Sequence, residues 1–236
     1  MIPSTAEFGV PVSTTSQWTR RARAVFLVFL YGLAAWFALS EFIRWPGMER
    51  SRTAVLDDMI YGQAYRPYVT RALVPLALRA LVAATPPAIR EAGGRLVLDE
   101  TEGDENLSWV RRCPYEFGLT VVLLFLTLVA LAFSLRRLGA VTLGLTGMPR
   151  DFAPAISLLV LPTQYWHMNH LYDFATLLLF ALGILSLAER RWRLYATVFV
   201  LATINKETSS CSPWHGPCWR VVLSPNGDTS LRLPPR

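Results

Sequence analysis

The chain has 236 residues, 53% of them hydrophobic and 17% charged, more apolar and less charged than soluble domains usually are. A purely soluble domain, a disordered chain and a disulfide-built mini-domain are excluded, because the apolar residues come in long blocks and there are only three cysteines. The net charge of +6 is carried by arginine, with Lys206 the one lysine. The arginines border apolar blocks and form no basic face with interleaved aromatics, so they suit orientation in a membrane, and no nucleic-acid partner is expected.

Residues 1–24 are a polar segment ending in Arg20, Arg21 and Arg23, followed by Val25 to Ile43, 19 residues with Glu41 as the only charge. This predicts a first span at 25–43. Ala38-Leu39-Ser40 resembles a signal-peptide cleavage site, but the run is longer than a usual signal core and carries Trp36 and Phe37 beside the cut, so an uncleaved span is favoured. Residues 44–116 read as one large loop. Within it, Val69 to Ala84 is apolar but interrupted by Arg71, Pro75 and Arg79. Crossing the bilayer there would bury two guanidinium groups at a cost of several kcal/mol. An amphipathic or re-entrant surface helix is expected instead, its arginines reaching headgroups. Five acids between Asp99 and Glu105 read as a solvated turn.

Phe117 to Leu135 is 19 residues without a charge, closed by Arg136 and Arg137, and predicts a second span at 117–135. A third is placed at 152–168, with Pro154 and Pro162 tolerated where neighbours re-satisfy the backbone. A fourth is placed at 171–188, with Asp173 near its start. A fifth, at 194–208, is partial: its apolar run, Leu194 to Ile204, has 11 residues before Asn205-Lys206-Glu207-Thr208. Residues 209–236 hold five Ser and five Pro and cannot continue a span; this tail is expected to be disordered, or the product of truncation or a frame shift. Nothing in the spacing of Cys211 and Cys218 suits a structural zinc site.

Nine arginines lie before span one and in the short loops after spans two and four, whereas the loop from His167 to Leu171 has none. The positive-inside rule then puts the N-terminus in the cytoplasm and loop 44–116 outside. With the arginine bias of a GC-rich genome, this predicts a multi-pass protein of the bacterial inner membrane, with the lipid bilayer as its first partner.

That topology gathers Asp57, Asp58, Arg66, Arg71, His167, His170, Asp173 and Glu207 at the outer face, where ionisable groups beside spans mark function by default. Asp57-Asp58 suits a general base or an oxygen-ligand site for a divalent metal, and no particular cofactor is identified. Around Arg66 and Arg71, Tyr65 and Tyr68 suit lipid anchoring as well as a specific phosphate site. His167, His170 and Asp173 follow one another at intervals of three and would share a helical face. The chain must turn there, however, so interfacial hydrogen bonding is the alternative and no metal site is assigned.

These features together resemble bacterial multi-spanning proteins of the GT-C glycosyltransferase type: the acidic pair after span one, the segment from Tyr65-Arg66-Pro67 to Arg71-Ala72-Leu73-Val74-Pro75, the start His170-Leu171-Tyr172-Asp173-Phe174 of a span, and the end Asn205-Lys206-Glu207-Thr208. The resemblance covers about residues 20–208. It implies transfer of a sugar from a polyprenyl-phosphate donor at the outer face. Asp57 or Asp58 would deprotonate the acceptor hydroxyl, and Arg66 and Arg71 would stabilise the departing phosphate. Family members usually carry eight or more spans, so a truncated member is one expectation. The rival is a non-catalytic transporter or lipid-binding component using the same charges. The fold class expected is all-α: a polytopic helical domain over 25–208 with one surface helix in its outer loop.

Overall fold

The computed structural model describes residues 15–44, 56–61, 73–101, 110–165 and 172–206, with the side chains of 15–20, 57 and 206 outside that description. Among the described residues the elements are helical throughout: α1 (Thr15–Arg44), α2 (Leu56–Tyr61), α3 (Leu73–Ala84), α4 (Pro87–Thr101), α5 (Pro114–Thr142), α6 (Gly147–Val160), α7 (Asp173–Ala188) and α8 (Trp192–Lys206). A short 3-10 turn, Leu161–Gln164, extends α6.

Two of these helices are long and apolar enough to cross a bilayer. The apolar part of α1, Arg21–Arg44, has 24 residues and α5 has 29, about 36 and 43 Å at 1.5 Å per residue, against ~30 Å of hydrocarbon. Both exceed the apolar runs that predict them, because backbone hydrogen bonding carries a helix on into its polar flanks. Pro114 opens α5 where its missing N–H is no loss, and Glu116 in the first turn complements the helix dipole. After α5 the chain reverses through Gly144 and Gly147, both at φ near +60°, a conformation that glycine adopts without steric cost.

The third run is cut short. Pro154 lies inside α6, which stops at Val160 after 14 residues, and Pro162 is accommodated in the following 3-10 turn. α7 and α8 have 16 and 15 residues. The surface segment is also more structured than its sequence suggests: α3 and α4 meet at a 117° bend at Thr85 and Pro86. α3 buries Val74, Pro75, Leu78 and Val82. Its Arg79, which is exposed, also donates from Nε to the carbonyl of Ile60 in α2.

Long-range side-chain contacts give the direction of each helix. Arg23 near the start of α1, Arg136 near the end of α5 and Asp151 at the start of α6 meet at one end. Phe42 near the end of α1, Tyr165 after α6 and Phe174 at the start of α7 meet at the other. Arg137 of α5 joins the α7–α8 turn at Glu189, and Asn205 at the end of α8 reaches back to Thr176 of α7. Helices α1, α5, α6, α7 and α8 therefore alternate in direction, and α5 packs against α1, α4, α6 and α7. The core runs through Tyr31, Ala35, Ala38, Leu39 and Phe42 of α1 and Leu124, Leu128 and Ala132 of α5, the alanines letting the backbones approach. Only 33% of the apolar window of each long helix is buried. Val25, Phe29, Trp36, Val122 and Leu126 lie exposed, a pattern suited to lipid and not to water.

Candidate functional site at the two ends of the bundle

The end where α1 terminates and α5 begins is rich in aromatic side chains. Phe42 makes edge-to-face contacts with Tyr165 and Phe174, at centroid distances of 5.4 and 4.8 Å, and the Tyr165 hydroxyl donates to the Ala38 carbonyl at 2.6 Å. Asp58 is half-buried on α2, whose Leu56, Met59 and Ile60 enter the core. Asp173 opens α7, where a carboxylate complements the helix dipole. Asp58 and Asp173 thus stand at the same end of the molecule. The side chain of Asp57, together with Arg66, Arg71, His167, His170 and Glu207, lies outside the described residues. Among the described residues no group of three or more His, Cys, Asp or Glu is placed to hold a metal ion.

Two further polar contacts mark this end. The Tyr61 hydroxyl donates to Glu116 Oε1 at 2.8 Å. That hydrogen bond, reinforced by desolvation and the glutamate charge, pushes the phenol up to about 12 from the usual 10.0. Asn205, 1% exposed, donates from Nδ2 to Thr176 Oγ1 at 2.9 Å and to the Tyr172 carbonyl at 3.3 Å. Its buried Oδ1 has no hydrogen-bond donor among the described residues.

The opposite end holds a charge network that the sequence did not single out. Asp151, its side chain 11% exposed, receives Arg23 Nη2 at 2.5 Å on Oδ2 and Arg136 Nε at 2.9 Å on Oδ1. Each carboxylate oxygen thus takes its own guanidinium. The Asp151 carbonyl accepts from the buried Tyr31 hydroxyl at 2.9 Å. Burial pushes the Asp151 carboxyl up, but the hydrogen bonds from Arg23 and Arg136 outweigh it and hold the group below its ordinary value. Next along α6, Arg150 has a buried Nε with no acceptor among the described residues. A second network joins Glu189 to Arg137 at 2.6 Å and to Arg191 at 2.9 Å. The only sequence signal for either acid is its place in an arginine-rich short segment, Arg150-Asp151 and Glu189-Arg190-Arg191.

Charge is distributed unequally along the sequence. The segment from Arg44 to Glu116 holds ten arginines and ten acids, and so is balanced. The short connections at the other end carry the arginines of the two networks in excess over Asp151 and Glu189. Compared with known protein families, curated proteins and solved structures, the chain matches none.

Proposed function

We propose that the protein is a polytopic membrane protein in which α1, α5 and the shorter α6, α7 and α8 all cross, with the arginine end in the bacterial cytoplasm and the aromatic end outside. The alternation of helix directions, with unbalanced arginine at a single end, supports this reading through the positive-inside rule. The short helices fit by local thinning of the bilayer, and the 3-10 turn extends the third crossing. At the outer end the reading is a GT-C-like transfer of a sugar from a polyprenyl-phosphate donor. Asp57 or Asp58 is then the base on the acceptor hydroxyl, and Arg66 and Arg71 are the cations facing the departing phosphate. His167, His170, Asp173 and Glu207 would stand around them.

The observation that carries the reading is that Asp58 and Asp173 lie at the same end of the bundle, opposite Arg23, Arg136 and Arg137. Reporter fusions after Tyr61 and after Arg190 are expected to report opposite compartments; the same compartment for both refutes the topology. For the chemistry, membranes containing the chain are incubated with a radiolabelled polyprenyl-phosphate hexose. Loss of label transfer in Asp57→Asn/Asp58→Asn at normal membrane insertion supports the enzyme. Transfer unchanged by the double substitution refutes that role and favours a non-catalytic transporter or lipid-binding component.

A further inference from the structure

The arginine end contains more cationic donors than its own acid can satisfy. Asp151 takes Arg23 and Arg136, so those three groups carry one net positive charge, and Arg150 adds another. Among the described residues Arg150 has no ion pair and its buried Nε has no acceptor, so its charge is left uncompensated beside the network. Arg23 keeps about half of its side chain exposed at 51%, so the network opens to the surroundings and does not close upon itself.

An apolar track leads directly from this cluster. Phe26, one helical turn after Arg23, contacts Phe152, the neighbour of Asp151, edge-to-face at 6.2 Å. Val25, Phe26 and Phe29 are exposed at 70, 48 and 64%. A molecule seated here meets guanidinium donors at one end and bare aromatic and aliphatic surface along its length. Free phosphate would satisfy the donors but leave that surface uncovered; an anionic phospholipid satisfies both.

We infer that Arg23 and Arg136, held on Asp151, and Arg150, its neighbour in the chain, form a binding site for the phosphate of an anionic phospholipid whose acyl chain lies along Phe26, Phe29 and Phe152. Asp151 holds two of the guanidinium groups in fixed orientation, and Arg150 supplies the charge that no acid among the described residues compensates. This site stands apart from the proposed chemistry at the opposite end and does not depend on which compartment either end faces.

The test uses the full chain in mild detergent, with native mass spectrometry reading retained lipid after addition of equimolar phosphatidylglycerol and phosphatidylcholine. Phosphatidylglycerol is expected to dominate. Arg150→Gln is expected to cut its retention about fivefold, as is the more exposed Arg23→Gln, in line with the attraction of one cation for an anionic lipid surface. Arg95→Gln, at an exposed arginine paired with Glu91, is expected to leave it unchanged. Circular dichroism checks the helical content of each variant, and Arg23→Gln decides the matter where Arg150→Gln does not fold. Equal retention of the two lipids, unchanged retention in Arg23→Gln, or an equal loss in Arg95→Gln overturns the site. Displacement of the lipid by millimolar inorganic phosphate alone also overturns it, by showing that the acyl track contributes nothing.

Discussion

The two ends of the bundle fasten their helices by different physics. At the arginine end, Arg23, Arg136, Arg137 and Arg191 converge on Asp151 and Glu189, so neighbouring helices are tied by ion pairs. At the aromatic end, Phe42, Tyr165 and Phe174 interlock as rings and Asn205 bridges α8 to α7 through neutral hydrogen bonds. Charge removal should therefore damage one end and leave the other largely indifferent, whereas loss of ring surface or amide contacts should do the reverse.

The largest expected effect is at Asp151. Asp151→Asn leaves Arg136, whose side chain is 21% exposed, without its counter-charge, while the half-exposed Arg23 rehydrates at lower cost. A loss of about 2–3 kcal/mol is expected, read as a fall in thermal midpoint of the detergent-solubilised protein. The contrast between the ends sharpens with pH. Because the Asp151 carboxyl is held below its ordinary value, its contribution is fully present above the unfolded carboxylate value of about 3.9. It disappears as pH falls through the folded value. The stability gap between the native chain and Asp151→Asn should accordingly narrow only below about pH 4; a gap constant through that range would break the account of Asp151 as an ionised tie.

Glu189 is expected to matter less. Glu189 is as shielded as Asp151, at 11% exposed, but both its partners, Arg137 and Arg191, are 55 and 62% exposed, so water and salt screen the arginine side of both pairs, and Glu189→Gln should cost at most about 1 kcal/mol and weaken further at high salt. A cost as large as that at Asp151 would show that exposure does not separate the two networks. At the aromatic end Asn205→Leu removes two donated hydrogen bonds and also the unpartnered Oδ1, opposing effects that leave a loss of under about 1 kcal/mol. This loss should be insensitive to salt, unlike that at Glu189.

Much of this division was legible in the sequence, and the part that was not has a physical cause. The charge-free run Phe117 to Leu135 and the run Val25 to Ile43 mark the two long helices, because apolar length is a local property. The arginines that close short loops mark one end for the same reason. Helix limits were less legible: α6 starts at Gly147, five residues before the predicted 152, and gives way at Val160 to a 3-10 turn, since tolerance of Pro154 and Pro162 is decided by neighbours. The bend between α3 and α4, and Arg79 turned onto Ile60, follow from packing against α2 and α5. Asp151 was the hardest to foresee. Its partner Arg23 is 128 residues away, and no local spacing rule connects an acid in one loop with an arginine before the first span. The sequence put Asp58 and Asp173 on one membrane face through its topology; the described helices show both at one end of the bundle.

The smallest expected effect is at Tyr61, whose hydroxyl donates to Glu116 between α2 and α5. The phenol is pushed up to about 12, so the neutral form is favoured in the folded chain. Its contribution is complete below the ordinary value of 10.0 and is lost as pH rises through about 12. Tyr61 is 54% exposed, so solvent screens the bond and Tyr61→Phe should change the thermal midpoint at neutral pH by little. The sharper measurement is an ultraviolet titration of tyrosinate, comparing native chain with Tyr61→Phe. The difference curve should have its midpoint near 12, and Glu116→Gln should return it toward 10.0. The Glu116→Gln result is decisive because desolvation also raises the phenol: a midpoint unmoved by removing the glutamate charge would mean that burial alone sets it. The contact between α2 and α5 would then owe nothing to the glutamate charge.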